Sequence, residues 1–253
     1  SSFFFVAVSS TTWPLPPPNP SLGPDDLHVW VANQNRPQSQ VDLFWLSLAD
    51  EERARANRFY FDHDRKHYIV ARGLLRLLLG RYLHVPPTEV AFVYGDHGKP
   101  DLAPVQVQAG VRFNISHSHG VALLAFARQR EVGVDIEQIR PLDDGEQIAE
   151  RFFSKSEVAV FTAVPAPQKP QAFFNCWTRK EAFIKVIGEG LSCPLDSFDV
   201  TLKPGEPAEL LQVKGSREAA TRWRLDNLEP ATGYAGAVIA EGREWVLRCW
   251  QWP

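Results

Sequence analysis

A long helical pattern followed by short alternating runs limits the folds that this 253-residue chain can adopt. Five apolar side chains between residues 62 and 83 recur at a spacing of about 3.6 residues, which predicts one long amphipathic helix. They are Ile69, Leu74, Leu75, Leu78 and Leu79. Short alternating apolar runs follow this helix, and such alternation predicts strands separated by turns. The runs occupy residues 90–94, 111–114, 121–126 and 132–136.

The second half of the chain repeats this kind of element order without repeating the residues. Ser154 and Glu157 form a capping-box pattern, which predicts a helix start. A longer helix is predicted from about 172 to 187, where Gly188 and Gly190 end it. Short alternating runs return after residue 198 and predict further strands.

Together these elements predict an α+β fold with two pseudo-symmetric lobes, each built from one long helix and a small sheet. The predicted lobes are residues 27–128 and 129–253. A proline-rich arm, residues 1–26, precedes them, since six of the twenty prolines lie between Trp13 and Pro24. A further helix is predicted over 47–60 and a strand over 27–31.

Charge and cysteine content exclude several classes of protein. The net charge is −3, from 27 Lys and Arg against 30 Asp and Glu, so the whole chain does not favour nucleic acid or an anionic membrane. The early apolar run at 3–8 is too short to span a bilayer. Cys176, Cys193 and Cys249 are odd in number and widely spaced, which argues against a disulfide framework and favours a reducing cytoplasm.

The segment Gly133-Val134-Asp135-Ile136-Glu137 places two carboxylates two residues apart on a predicted strand. Asp135 and Glu137 therefore share one face while their apolar neighbours point to the other. Adjacent carboxylates repel each other unless a cation lies between them, and Mg²⁺ prefers such oxygen ligands. The alternative is an exposed strand face at a sheet edge.

The helix from Trp177 to Lys185 brings Glu181 and Lys185 together, because residues four apart are neighbours on a helix surface. One interpretation is an ordinary helical salt bridge. The other is a carboxylate and an ammonium group that lie beside a phosphate-bearing substrate.

Two polar turns are further candidates. The segment from Phe113 to Gly120 is predicted as a strand that runs into a turn, where Ser116 and His117 offer donors to a phosphate. The alternatives are a hairpin decorated with polar residues, or weak metal binding by His117 and His119. The second turn, Gly98-Lys99-Pro100, could present a cation to a nucleotide.

These four segments resemble the Sfp-type 4′-phosphopantetheinyl transferases. The family motifs G-K-P, F-N-x-S-H-S, G-[IV]-D-x-E and W-x-x-K-E-[AS]-x-x-K all occur here in that order. R-F-Y at 58–60, A-R-G-L-L-R at 71–76 and R-F-F-S at 151–154 are also similar to the family. The resemblance spans about residues 27 to 240.

The resemblance implies an enzyme that moves 4′-phosphopantetheine from coenzyme A to a serine of an apo acyl or peptidyl carrier protein and releases adenosine 3′,5′-bisphosphate. It implies Mg²⁺ held by Asp135, Glu137 and Glu181. Glu181 would also activate the carrier serine, directly or through water. Lys185 would offset charge on the α-phosphate of coenzyme A and assist the leaving bisphosphate.

The resemblance also implies residues that bind coenzyme A. The stretch from 52 to 81 holds eight Lys and Arg against three Asp and Glu. Within it, Arg55 and Arg72 would bind the 3′-phosphate. Ser116 and His117 would close that pocket, and Lys99 would lie near the adenine. The chain departs from the family pattern on the early helix, where some members have lysine and this chain has Glu52, Arg53 and Arg55, and at Tyr68, which replaces a small hydroxyl residue.

The carrier partner of this family is typically acidic. Residues 151–185 would suit such a partner, because they hold six Lys and Arg but only two Asp and Glu. Residues 165–175 are the expected docking loop. Two other functions remain open: a catalytically decayed module that only binds carriers, and a Mg²⁺-dependent nucleotide pyrophosphatase. The expected enzyme is a cytoplasmic monomer that binds neither nucleic acid nor membrane.

Overall fold

The computed structural model describes residues 13–95, 100–188 and 193–253, and helices and strands are mixed along them. The helices are α1 (Gln38–Ser47), α2 (Asp50–Ala56), α3 (Asp62–Leu83), α4 (Pro104–Val107), α5 (Gly145–Phe152), α6 (Lys155–Ala163), α7 (Lys169–Ile187) and α8 (Arg217–Thr221). The strands are β1 (Asp26–Asn33), β2 (Phe92–Tyr94), β3 (Pro100–Leu102), β4 (Val111–Ser118), β5 (Val121–Arg128), β6 (Val132–Gln138), β7 (Phe198–Val200), β8 (Leu210–Val213), β9 (Trp223–Leu228), β10 (Tyr234–Glu241) and β11 (Val246–Gln251). The predicted α+β class is confirmed.

Two larger sheets organise these strands. The first has the order β11-β1-β5-β4, in which β1 is parallel to β11 and antiparallel to β5. The second has the order β6-β10-β9 and is antiparallel. The strand β11 follows the whole second sheet in sequence but joins the first sheet. The predicted division into lobes at residue 128 stays a prediction.

Each larger sheet is covered by one long helix, as the two helical patterns predicted. Helix α3 has the predicted bounds and packs its leucines into an apolar core with Trp30 and Phe126 of the first sheet. Helix α7 packs on the second sheet, where Phe183 and Ala237 lie in another core. Apolar burial of this kind stabilises helices more than intrinsic propensity does.

A third core lies between the two sheets. It includes Val29 and Leu123 from the first sheet and Val134 and Ile136 from the second. Because side chains alternate along a strand, burial of Val134 and Ile136 in this core turns Asp135 and Glu137 to the opposite face of β6. That face is covered by α7.

Three local predictions need correction. The helix predicted over 47–60 is helical only in α2, because Leu48 and Ala49 are extended and separate it from α1. The docking loop predicted over 165–175 is mostly the start of α7, since Pro170 is tolerated in a first helical turn.

The third correction concerns β4, which continues through Ser118 rather than turning at the polar residues. The capping box of Ser154 and Glu157 and the left-handed Gly188 that ends α7 are confirmed. None of the described helices is long and apolar enough to cross a bilayer.

Candidate active site

The glycine of the G-V-D-I-E segment allows helix α7 to lie directly on strand β6. A Cβ atom added at Gly133 would lie 2.0 Å from the carbonyl oxygen of Ala182. No side chain fits in that space, because the obstructing atom belongs to the backbone of a packed helix. The close approach sets the neighbouring residue, Glu181, against the face of β6 that carries Asp135 and Glu137.

Asp135 is buried, and its two carboxylate oxygens have different surroundings. The Oδ1 atom accepts hydrogen bonds from the Ser116 hydroxyl at 2.8 Å and from the Lys185 ammonium at 2.6 Å. The Oδ2 atom is also buried but has no hydrogen-bond partner among the described residues. A buried carboxylate oxygen without a donor is costly, so it marks a position that a cation or a donor would stabilise.

The three acidic side chains lie close enough to affect one another's ionisation. Burial raises the pKa of Glu181, and the charges of Asp135 and Glu137 raise it further, while Lys185 lowers it. Burial likewise raises the pKa of Glu137, although the Ser118 hydroxyl, which donates to its Oε2 at 3.0 Å, lowers it. Three mutually repelling carboxylates are an electrostatic arrangement that bound positive charge relieves.

These residues are chemically suited to Mg²⁺, but they do not form a finished metal centre. Across residues 13–95, 100–188 and 193–253, no group of three Asp, Glu, His or Cys side chains could hold a metal ion as it stands. The donor set is nevertheless hard oxygen, and Asp135 Oδ2 is unpartnered. The set fits a divalent cation, and the ligand assignment stays a prediction.

Lys185 of helix α7 forms hydrogen bonds with strand β6. Its ammonium group donates to Asp135 Oδ1 and, at 3.1 Å, to the carbonyl oxygen of Val134. The charge of Lys185 lowers the pKa of Glu181, the neighbour predicted for it on the helix. Lys185 therefore joins α7 to the acidic face of β6.

Ser116 and His117 are neighbours on β4 but face opposite ways: Ser116 faces β6, whereas His117 is exposed. Ser116 donates its hydroxyl to Asp135, so in this structure it orients a carboxylate. The pKa of His117 is lowered by partial burial of its ring and by Lys185, while the charge of Asp135 raises it. Phosphate binding by both residues stays a prediction.

Comparison with known proteins places these features in a family. Residues 131–239 match the family described as the 4′-phosphopantetheinyl transferase superfamily, and residues 34–129 match a 4′-phosphopantetheinyl transferase N-terminal family. The chain is 38% identical over 241 residues to the 4′-phosphopantetheinyl transferase HetI of Nostoc sp., which covers 95% of this chain and 98% of the relative. It is 35% identical over 178 residues to Sfp of Bacillus subtilis, covering 70% and 77%.

This chain belongs to the 4′-phosphopantetheinyl transferase family. The predicted activity is confirmed at this level: the chain is an enzyme that transfers 4′-phosphopantetheine to a carrier protein. Among solved structures, a holo-[acyl-carrier-protein] synthase of Thermotoga maritima matches with a TM-score of 0.36 at 20% identity, covering 45% of this chain and 63% of that one. That similarity is weak, and the family assignment does not depend on it.

The basic stretch of the transferase contains arginines with different surroundings. Arg76 is buried and donates to Glu52 at 2.6 Å and to the carbonyl oxygens of Pro87 and Val90. It therefore stabilises the fold. Arg72 lies 3.6 Å from Glu52, and its buried Nη1 atom has no hydrogen-bond partner among the described residues.

Arg55 and Arg72 meet at one aromatic side chain. Each guanidinium group lies 5.6 Å from the centroid of the Tyr68 ring, a distance typical of cation–π contacts. A cavity of about 570 Å³ opens beside them. It is lined by Glu51, Glu52, Arg55, Arg58, Phe59, Tyr68 and Tyr94. Lys99, predicted near the adenine, lies outside the described residues.

Three residues that shape the site were not predicted from the sequence. Asn114 accepts a hydrogen bond from the Val134 amide at 2.8 Å, and Ser118 contacts Glu137. Arg140 lies 3.8 Å from the same Glu137 oxygen, Oε2. A signal for the first two existed in the sequence, because Asn114, Ser116 and Ser118 alternate along one strand face.

Proposed function

We propose that this transferase takes 4′-phosphopantetheine from coenzyme A and attaches it to the serine hydroxyl of an apo acyl or peptidyl carrier protein, with Mg²⁺ as cofactor. Adenosine 3′,5′-bisphosphate is the second product. The observation that supports this proposal is the cluster in which Asp135, with one unpartnered buried oxygen, lies between Lys185 and two further carboxylates.

Asp135, Glu137 and Glu181 are the residues that would hold the cation. Bound Mg²⁺ supplies positive charge that neutralises the pyrophosphate of coenzyme A. The protein contributes the fixed orientation of the ligands. Ser116 and Lys185 already hold Asp135 Oδ1, so that carboxylate does not need to reorganise when a cation binds to its other oxygen.

Glu181 is suited to accept the proton of the carrier serine. It lies near Asp135 and Glu137, close enough for their charges to act on it, and a carboxylate at this position can accept a proton from a hydroxyl bound beside it. As the serine oxygen bonds to the β-phosphorus, the bond from that phosphorus to the bridging oxygen breaks, and its electron pair leaves with the bisphosphate. The serine proton goes to Glu181, directly or through water.

Lys185 would stabilise the negative charge that develops on the leaving bisphosphate. Its ammonium group lies on the acidic face of β6, and a quarter of the side chain remains exposed, at 27%. A preorganised donor of this kind commonly contributes on the order of 10²–10³ in rate. His117, within the electrostatic reach of Lys185, would offer a second donor to the same phosphates.

The 3′-phosphate of coenzyme A would bind near Arg55 and Arg72. Arg55 lines the cavity of about 570 Å³, and the unpartnered Nη1 of Arg72 lies behind Tyr68 and Tyr94. Guanidinium groups bind phosphate in a two-pronged manner, so arginine serves where some family members have lysine. The aromatic rings provide a surface for the adenine.

The carrier protein would approach the basic stretch of residues 151–185, with the short turn at residues 165–168 and the first turn of α7 as the docking segment. Lys169 of this segment is ion-paired with Glu146, so part of its charge is already compensated. Arg179 and Lys180 of the stretch are buried, so the exposed Arg151 and Lys155 would attract an acidic carrier, and its association would weaken as salt rises.

Intact mass spectrometry tests this function directly. The enzyme is incubated with coenzyme A, Mg²⁺ and a panel of apo carrier proteins. We expect carriers that gain one 4′-phosphopantetheine group, and no gain when a chelator removes Mg²⁺. Unchanged carriers with intact coenzyme A would support the decayed module, and cleaved coenzyme A with unchanged carriers would support the pyrophosphatase.

A further inference from the structure

Strands β4 and β6 meet at the active site as the edge strands of two different sheets. In the described structure β4 ends the sheet β11-β1-β5-β4, and β6 begins the sheet β6-β10-β9. Side chains of β4 bond to the backbone of β6: Asn114 Oδ1 accepts from the Val134 amide at 2.8 Å, and Ser118 Oγ accepts from the Gln138 amide at 3.1 Å. We call this junction of Asn114, Ser116 and Ser118 with β6 the seam.

The hydroxyl of Ser118 makes its hydrogen bonds within the seam. It donates its proton to Glu137 Oε2 at 3.0 Å, accepts from the Gln138 amide, and lies 3.0 Å from His119 Nδ1. A hydroxyl has one proton to donate and two lone pairs to accept with. The proton and one lone pair have fixed partners in Glu137 and the Gln138 amide, so rotation away from Glu137 would break the half-buried hydrogen bond to its carboxylate.

Without Ser118, Arg140 would be the remaining partner of the Glu137 carboxylate oxygen Oε2. Arg140 Nη1 lies 3.8 Å from Glu137 Oε2, and the Arg140 side chain is 46% exposed. An exposed arginine can follow a carboxylate that turns outward. The Ser118 hydroxyl therefore keeps Glu137 on the face that it shares with Asp135.

We propose that Ser118 is a positioning residue, which orients Glu137 for the cation through the seam. This inference rests on the proposed metal site, and it deepens that proposal by adding a residue that touches neither metal nor substrate. Groups that orient metal ligands through hydrogen bonds typically contribute 10–100-fold in metal affinity.

Asn114 provides a matched control on the same strand. Its amide oxygen bonds the β6 backbone as Ser118 does, and both side chains are buried. Its bond goes to the Val134 amide rather than to a carboxylate. Loss of Asn114 should therefore weaken the seam without releasing Glu137.

The test measures Mn²⁺ binding, as a probe of the divalent site, by calorimetry on the full chain without coenzyme A. We expect Ser118→Ala to weaken Mn²⁺ binding by about tenfold or more and Asn114→Ala by less than about twofold, while both lower Tm. Ser118→Thr, which keeps the hydroxyl, should retain most of the affinity and serves if Ser118→Ala does not fold.

Steady-state kinetics give a second measurement. The KM for Mg²⁺ should rise in Ser118→Ala more than kcat falls at saturating Mg²⁺. Equal losses of Mn²⁺ affinity in Ser118→Ala and Asn114→Ala would reduce Ser118 to a structural residue and overturn the inference.

Glu137→Gln separates this inference from the proposed function. If Glu137→Gln weakens Mn²⁺ binding and Ser118→Ala does not, positioning by Ser118 is wrong while the metal site stands. If the wild type does not bind Mn²⁺, or Glu137→Gln binds it as well as the wild type, the proposed metal site itself is wrong, and the inference falls with it.

Discussion

Helix α7 holds two lysine–carboxylate pairs, five residues apart, with opposite properties. Lys180 pairs with Glu157 at 2.8 Å, and the two side chains are only 1% and 2% exposed. Lys180 also donates to the carbonyl oxygens of Leu195 and Phe198, and Glu157 accepts from the Val200 amide. This pair is sealed and saturated with hydrogen bonds.

The second pair, Lys185 with Asp135, is open. Lys185 is 27% exposed, and Asp135 keeps one buried oxygen without a partner among the described residues. A sealed pair resists change and stabilises the fold, whereas an open pair can exchange partners with a ligand. The difference separates the structural lysine of the W-x-x-K-E-[AS]-x-x-K motif from the lysine of the site.

The same contrast occurs on α3 between Arg76 and Arg72. Arg76 has a close bond to Glu52 and two carbonyl partners, while Arg72 lies farther from Glu52 and has an unpartnered nitrogen. In both helices, hydrogen-bond saturation distinguishes Lys180 and Arg76 from Lys185 and Arg72, the residues proposed to bind coenzyme A.

The largest effect is expected at the sealed pair. Lys180→Met leaves the Glu157 carboxylate buried without its cation, and breaking such a pair costs about 3–5 kcal/mol in the free energy of unfolding. Lys185→Met, at the open pair, should cost less, because the Lys185 side chain is partly exposed and Asp135 keeps the hydrogen bond that Ser116 donates to its Oδ1. Urea unfolding of both variants measures the difference, and equal losses would contradict the comparison.

The next effect concerns catalysis at the open pair. Asp135→Asn or Glu181→Gln should lower the rate of transfer by at least about 10²–10³-fold, since each removes charge that the site uses on the pyrophosphate. Carrier modification followed by mass spectrometry gives the rate, and circular dichroism checks that the fold is intact. Near-normal turnover in either variant would remove that carboxylate from the metal site.

A smaller effect is expected from Arg72→Ala. Its affinity for coenzyme A should fall about tenfold more than its affinity for 3′-dephospho-coenzyme A, because a hydrogen bond to a charged group contributes about 1.5–3 kcal/mol. Calorimetry with both ligands measures the ratio, and Arg55→Ala tests the neighbouring arginine. If both ligands lose equally, Arg72 does not bind the 3′-phosphate.

The smallest effect is a pH dependence of stability. The pKa of Glu181 is raised above its ordinary value of 4.5, so the folded state favours the protonated carboxyl. The ionised wild type therefore carries the full penalty at pH values above that raised pKa, and the penalty falls away between that pKa and 4.5. Without metal, Glu181→Gln should have a Tm a few degrees higher than wild type at neutral pH, and the gain should vanish as the pH falls towards 4.5. A gain that is the same at every pH would contradict this origin.

Local patterns predicted the long elements well. The apolar spacing between Ile69 and Leu79 predicted α3 with its bounds, because a buried helix face must repeat with the helical period. The single helix predicted over 47–60 was wrong, because Leu48 and Ala49 are extended and separate α1 from α2. The segment has too few apolar residues for its spacing to reveal this interruption. The polar turn predicted after residue 114 was also wrong, because Asn114, Ser116 and Ser118 bond to the neighbouring strand β6 and the strand β4 continues through Ser118.

The sequence by itself determined the α+β class, the family, and the residues of the acidic site, because these follow from periodicity and from ordered motifs. Only the tertiary structure decided that Lys185 and not Lys180 reaches Asp135, that Ser116 and Ser118 hold the two carboxylates of β6, and that Arg76 is sealed while Arg72 is not. These pairings join residues 19 to 50 positions apart. They depend on how closely strands and helices pack, as at Gly133, and no local pattern encodes that distance.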